Sequence, residues 1–124
     1  MDKKEYAVGL KSKGCNCAQS VLLAFAEETG MTEEELKKLG AAFGAGMGCM
    51  EATCGALVGA GIVTGILKYN GKAIIRDAAT LHRQFHEQCG ATICKDLKGR
   101  DTGVVLCACD DCIRNAIGIL EERI

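Results

Sequence analysis

The 124-residue chain has no proline and no tryptophan, and only three phenylalanines and two tyrosines. Without proline, its breaks must come from glycine and from polar capping residues. The apolar mass is mostly Ala, Leu, Ile, Val and Cys, which suits close-packed helices better than a sheet, and no segment alternates with period two. The formal charge is −1 and no basic run is longer than Lys3–Lys4, so nothing recommends nucleic acid as a partner and none is expected. The N-terminal stretch MDKKEYAVGLKSKG is charged and has no apolar centre, so no secretory leader is read and a cytoplasmic location is expected. The longest uncharged run, Ala52 to Leu67, has sixteen residues between Glu51 and Lys68. That is short of the ~18–20 needed for a stable membrane span. No CxxCH motif offers covalent attachment to a c-type haem. Gly44-Ala-Gly46-Met-Gly48 has no strand before it and no Lys-Ser/Thr after it, so neither a P-loop nor a dinucleotide fingerprint survives.

What remains reads as one all-α domain over residues 1–124, a compact bundle of about five to six helices around a Gly/Ala-rich central helix. Residues 2–12 form a short helix with Tyr6, Val8 and Leu10 as apolar contacts. Asn16 with Gln19 makes a capping box, Gly30 a stop, and Ala18, Val21, Leu22 and Phe25 fall between them at helical spacing. Thr32 with Glu35 repeats the box and opens a helix carrying Leu36, Leu39 and Phe43, ended by Gly44. Glu33, Glu34 and Glu35 at its start are solvated charges that complement the helix dipole. The central helix spans about Thr53 to Tyr69. Gly55 and Gly59 lie four apart, as do Gly61 and Gly65, in rows that let another backbone come close within the bundle or across a homodimer. An amphipathic helix from Ala73 to Cys89 gathers Ile74, Ala78, Leu81, Phe85 and Cys89 on one side. Thr92 caps a short piece to Lys98. Asp110 or Asp111 caps the last helix, with Ile113, Ala116, Ile117, Leu120 and Ile124 as its core stripe.

With a cytoplasmic location expected, nine cysteines point to metal or redox chemistry, and an odd number cannot pair completely. Four share one setting. Cys17 follows Asn16, Cys54 follows Thr53, Cys94 comes two after Thr92, and Cys112 follows Asp111. Each is placed in the first turn of a helix, where free N–H groups favour a thiolate, and Cys54 is the candidate reactive thiol or ligand. Four such sulfurs suggest one common site assembled by the fold, because ligation by four cysteines serves iron–sulfur clusters and zinc alike. Cys15, Cys49, Cys89, Cys107 and Cys109 form the remainder. Cys109-Asp-Asp-Cys112 is a CxxC, extended by Cys107 to CxCxxC, although its two aspartates are expected to raise a thiol pKa. Cys89 reads as a buried hydrophobe. His82 and His86, at i and i+4, can converge with Cys89. His82 projects from the core stripe and His86 from its edge, which favours packing over ligation.

Asn16-Cys17-Ala18-Gln19-Ser20-Val21, Gly46-Met47-Gly48, Thr53-Cys54-Gly55-Ala56-Leu57-Val58-Gly59, Cys94-Lys95-Asp96-Leu97 and Cys112 together resemble the C-GCAxxG-C-C family of redox-active proteins over nearly the whole chain. The resemblance implies that Cys17, Cys54, Cys94 and Cys112 are the functional set. The family is similar in part to split-Soret cytochromes, which carry haem and an iron–sulfur centre, and only the cluster carries over to a chain without the haem motif. Some relatives are selenoproteins, which favours direct thiol chemistry instead. Three expectations follow. The first is an iron–sulfur cluster held by those four cysteines, with Gly55 and Gly59 letting backbone come near the sulfurs, for electron transfer with a partner protein. The second is a thiol–disulfide enzyme without cofactor, with Cys54 attacking and Cys17, Cys94 or Cys112 resolving. The third is an interaction domain stapled by zinc.

Overall fold

A computed structural model describes residues 2–124. Among them are eight α-helices: α1 (Lys3–Ser12), α2 (Cys17–Ala24), α3 (Ala26–Thr29), α4 (Glu33–Gly40), α5 (Gly55–Lys68), α6 (Ile75–Cys89), α7 (Cys94–Lys98) and α8 (Cys109–Arg123). A π-turn at Gly46–Met50 makes nine helical elements among the described residues, rather than five to six. The extra elements are short, and each has a local cause. The helix expected to run to Gly30 breaks at Phe25, whose backbone (φ −110°, ψ 23°) leaves the α region where the ring turns inward, 1% exposed. The helix from Thr32 stops at Gly40 rather than Gly44. The segment after it coils the other way, with Ala45, Gly46, Met47 and Gly48 all at positive φ.

The core lies where α2, α5 and α8 meet. Val21, Leu22, Ile113, Ala116 and Ile117 are fully buried there, with Phe85 of α6 and Leu97 of α7 closing the far side. The most extensive helix–helix contact is between α2 and α5, and two glycines give it room. A β-carbon on Gly59 would stand 2.8 Å from the Ala18 carbonyl oxygen, and one on Gly55 would stand 2.5 Å from that of Phe43. Gly61 and Gly65 are different: nothing lies within 4 Å of the position a β-carbon would take. Half of the glycine row therefore serves packing and half faces open space.

Both capping boxes form. Asn16 Oδ1 accepts from the Gln19 amide at 2.8 Å and Thr32 Oγ1 from the Glu35 amide at 3.1 Å. Asn16 does more, donating through Nδ2 to the carbonyls of Gly40 (3.0 Å) and Ala41 (3.3 Å), which ties the start of α2 to the end of α4. The only β-type pairing among the described residues is an isolated antiparallel bridge between Thr53 and Ile93. It is closed by the Cys54 amide donating to Thr92 O (2.8 Å) and the Cys94 amide to Ala52 O (3.0 Å). No helix is long and apolar enough to cross a membrane among the described residues.

Some outward positions differ from the sequence reading. Leu39 (39%) and Ile124 (54%) are exposed. So are His82 and His86. That stripe is narrower than periodicity suggests, and only Leu81, Phe85 and Cys89 are buried.

Candidate functional site

The Thr53–Ile93 bridge is the local device that builds the site. Two segments forty residues apart run antiparallel for one residue pair, and each then delivers a cysteine to the same place. Cys54 becomes the N-cap of α5 rather than a first-turn residue behind a Thr53 cap, and Cys94 is the first residue of α7, with Ile93 rather than Thr92 at the cap position. Cys17 is the first residue of α2 behind its Asn16 cap, as the sequence reading has it. Cys112 stands in the first turn of α8, but that helix starts earlier, at Cys109, with Ala108 at the cap position rather than an aspartate.

A cavity of about 370 Å3 opens between these helix starts. Its wall includes Cys15, Cys17, Cys54, Cys94 and Cys109, together with Gly55 and two cationic side chains, Lys11 and Lys98. Cys112 lies outside that wall, beside the Cys54 thiol, with its Sγ donating to the Cys107 carbonyl at 3.6 Å. Gly59, expected beside the sulfurs, is one turn deeper and packs on Ala18 and Val21. Of the four cysteines singled out from sequence, three line the cavity and the fourth stands behind one of them.

Electrostatics divides these thiols. Cys17 and Cys109 face each other, and that contact holds the Cys109 pKa well below the usual thiol value, with Lys98 and Lys11 assisting against the cost of burial. Cys17 is pushed up by the same contact and by burial. The aspartates at 110 and 111 therefore do not set the character of Cys109, because both are exposed while the sulfur faces a thiol and two ammonium groups. Cys54 is pushed up, first by its contact with Cys112 and then by burial. An amide contact from Ala56 pulls the other way and is outweighed. Cys94 is raised by burial and by the charge of Cys54.

Behind the cavity lies a second sulfur group. Cys89, Cys107 and Cys112 are all buried, with Sγ atoms within 4.8 Å of one another, so they form a cluster able to bind a metal ion. Burial pushes the Cys107 thiol up to about 11. At Cys112 the contact with Cys54 lowers the pKa, but Cys89 and burial raise it and prevail. Lys98 stands between the two groups, with Nζ 3.4 Å from Cys112 Sγ and donating to the Cys107 carbonyl at 3.1 Å. Burial disfavours its ammonium, yet the facing charges of Cys112, Cys109 and Cys54 hold its pKa above the usual lysine value.

The sequence reading did not assign Cys109, Lys11 or Lys98 to the site. Cys109 follows an alanine, so a search for capped cysteines passes over it, although the CxxC itself marks two sulfurs one turn apart on α8. Lys98 is four residues after Cys94, the spacing that puts two side chains on one helical face.

Compared with known proteins, the chain is similar to no curated protein and to no solved structure. A family model described as "Putative redox-active protein (C_GCAxxG_C_C)" matches residues 15–123, a span that takes in all nine cysteines and Lys98, though not Lys11. The chain belongs to the C_GCAxxG_C_C family.

Proposed function

We propose that the protein carries electrons through an iron–sulfur cluster held in the cavity, exchanging them with a redox partner protein in the cytoplasm. The observation that carries this reading is the convergence of Cys17, Cys54, Cys94 and Cys109 on one cavity of about 370 Å3 together with Lys11 and Lys98. Four thiols are the donor set such a cluster takes, and two ammonium groups offset its negative charge. Cys17, Cys54 and Cys94 are ligands shared with the family pattern. Five thiols stand on the cavity wall, and the fourth ligand is Cys109 rather than Cys15, because Cys109 faces Cys17 and both ammonium groups; Cys112 of the family pattern lies behind Cys54. Gly55 keeps its stretch of wall free of a side chain. A bound cluster would supply one-electron chemistry, and its potential would follow from the burial, the N–H···S contacts and the Lys98 charge around it.

The test is anaerobic reconstitution with iron and sulfide, followed by metal and acid-labile sulfide analysis and a visible spectrum. Wild type turns brown with iron and sulfide bound. Cys54→Ser loses both, and Cys109→Ser loses more than Cys112→Ser. A wild-type protein that stays colourless with neither bound refutes the reading.

One observation favours a second reading, thiol–disulfide exchange. The Cys109 pKa is lowered, and the Cys17 thiol stands against it with Lys98 and Lys11 nearby. In that reading Cys109, not Cys54, attacks, and Cys17 resolves. Wild type would then lose two titratable thiols reversibly on oxidation, and Cys17→Ala would abolish the change.

A further inference from the structure

The trio Cys89, Cys107 and Cys112 is not needed by the cavity, and it is not packed as three small hydrophobes. Cys89 ends α6, Cys107 sits in the loop before α8, and Cys112 is in the first turn of α8, at 3%, 8% and 0% exposure. A buried thiol kept only for its volume meets apolar neighbours. These three instead attract polar donors. Asn115, one turn after Cys112, aims Nδ2 at Cys89 Sγ (3.2 Å) and at Cys107 Sγ (3.9 Å). The Lys98 ammonium stands 3.4 Å from Cys112 Sγ. The Cys107 loop is fixed from the other side, with the amides of Leu106 and Cys107 both donating to Leu97 O, at 2.9 and 3.2 Å. Burial keeps these thiols protonated while the site holds no ion, with Cys112 Sγ donating to the Cys107 carbonyl at 3.6 Å, and the Asn115 and Lys98 donors are the contacts that would stabilise the thiolates once a metal displaces the protons.

We propose that Cys89, Cys107 and Cys112 bind one thiophilic divalent ion of the zinc class, separately from the cavity. Charge selects the valence. Three thiolates bring three negative charges, Lys98 offsets one, and a divalent ion offsets the other two, which leaves a buried group neutral. Size agrees. With Zn–S at about 2.3 Å, a tetrahedral site sets its sulfurs ~3.8 Å apart. The present separations, all within 4.8 Å, need a contraction of only about an ångström or less. The fourth corner falls to a water, since Asn115 faces the sulfurs with its amide nitrogen. The ion would join the end of α6 to the start of α8 through the loop between them, and this role for Cys112 agrees with Cys109 as the fourth cavity ligand. The proposal uses none of the cavity sulfurs, and the Lys98 ammonium faces both groups.

The test is zinc binding by the full chain, reduced and anaerobic, in competition with a chromophoric chelator, with Co(II) as a spectroscopic replacement. Wild type should hold one zinc with an affinity at least about tenfold above that of Cys107→Ser or Cys89→Ser, while Cys94→Ser and Cys109→Ser retain it. The Co(II) form of wild type should show sulfur-to-metal charge transfer that Cys107→Ser weakens. Cys107 is a loop residue, so its variant separates loss of the ion from loss of the helical core, which far-UV circular dichroism follows. Equal zinc affinity in wild type, Cys89→Ser and Cys107→Ser overturns the proposal. So does loss in Cys94→Ser or Cys109→Ser with retention in Cys107→Ser, which would assign the ion to the cavity.

Discussion

Two glycines of α5, two residues apart, should respond in opposite directions to the same substitution. Gly→Ala in a helix interior gains about 1 kcal/mol of propensity wherever the methyl group has room. At Gly61 it has room: the residue is exposed and nothing lies within 4 Å of the β-carbon position. Gly61→Ala should therefore stabilise the fold by about 1 kcal/mol. At Gly59 the new methyl would meet the Ala18 carbonyl oxygen at 2.8 Å, Ala18 Cα at 3.2 Å and Val21 Cβ at 3.2 Å. Two of these atoms are backbone of α2, so relief requires the two helices to separate. Overpacking of this kind costs about 1–3 kcal/mol, which exceeds the propensity gain in most of that range. Gly59→Ala should come out destabilising by about 1 kcal/mol, so the two variants differ by about 2 kcal/mol. Thermal unfolding of the reduced, metal-free protein reads this directly. At about 4 °C per kcal/mol for a domain of this size, the midpoints should separate by about 8 °C, with wild type between them. A Gly59→Ala protein more stable than wild type would refute the claim that α2 and α5 meet at a glycine. A destabilised Gly61→Ala protein would refute the claim that the second glycine pair faces open space.

Asn16→Ala removes the α2 cap and the two carbonyl contacts to α4 together, and should cost about 2 kcal/mol in urea unfolding. Asn16→Asp keeps the cap acceptor and loses the amide donors, so it should recover about half of that loss. The alkylation rate of Cys109, followed by mass spectrometry against pH, should rise with an inflection well below that of an ordinary thiol, and Cys17→Ala should move that inflection up by removing the facing thiol. Lys98→Met should move it in the same direction, since the ammonium is one of the groups that holds Cys109 as a thiolate. The folded pKa of Cys109 lies below its ordinary value of 9.0, so its contribution to stability is fully present above about 9, shrinks as pH falls, and is gone below about 5. The wild-type midpoint should therefore drop more steeply than that of Cys109→Ser as pH is lowered from about 7 to about 5.

How far the chain could be read in advance depended on how local the cause was. Asn16 with Gln19 and Thr32 with Glu35 are complete within four residues, and both helix starts form where those residues put them. Gly30 and Gly90 end helices for the same reason, each in the left-handed conformation. Thr53 and Thr92 misled because their backbones were claimed by something non-local. Each lies in or beside the two-segment bridge, so the helices start one or two residues later, and Cys54 itself takes the cap position. The π-turn at residues 46–50 carries no periodic signal, because a run of left-handed residues including Ala45, Met47 and Met50 is held by tertiary contact rather than by preference. Cys109 was passed over because the residue before it has no capping side chain. Its low pKa depends on Cys17, Lys11 and Lys98, which reach it only through the folded chain.

The glycines and the cysteines are separate problems in the sequence, one of packing and one of chemistry, and the fold joins them. A β-carbon on Gly55 would stand 3.4 Å from Cys17 Cβ, and one on Gly46 would stand 2.6 Å from Cys94 Cβ. Two of the cavity cysteines are thus seated against the bare backbone of glycines from other parts of the chain. Gly46 is also at φ +58°, so any other residue there would face both a strained backbone and the cysteine it displaced. The close approach of α2 and α5, set by Gly55 and Gly59, fixes Cys17 against the start of α5, one residue from Cys54. The bridge of Thr53 to Ile93 then fixes Cys94 beside Cys54. Small residues serve this site by deciding where sulfur can stand. Packing and chemistry are one constraint here, and a methyl group at position 46 or 55 should disturb the cavity thiols before it disturbs the rest of the core.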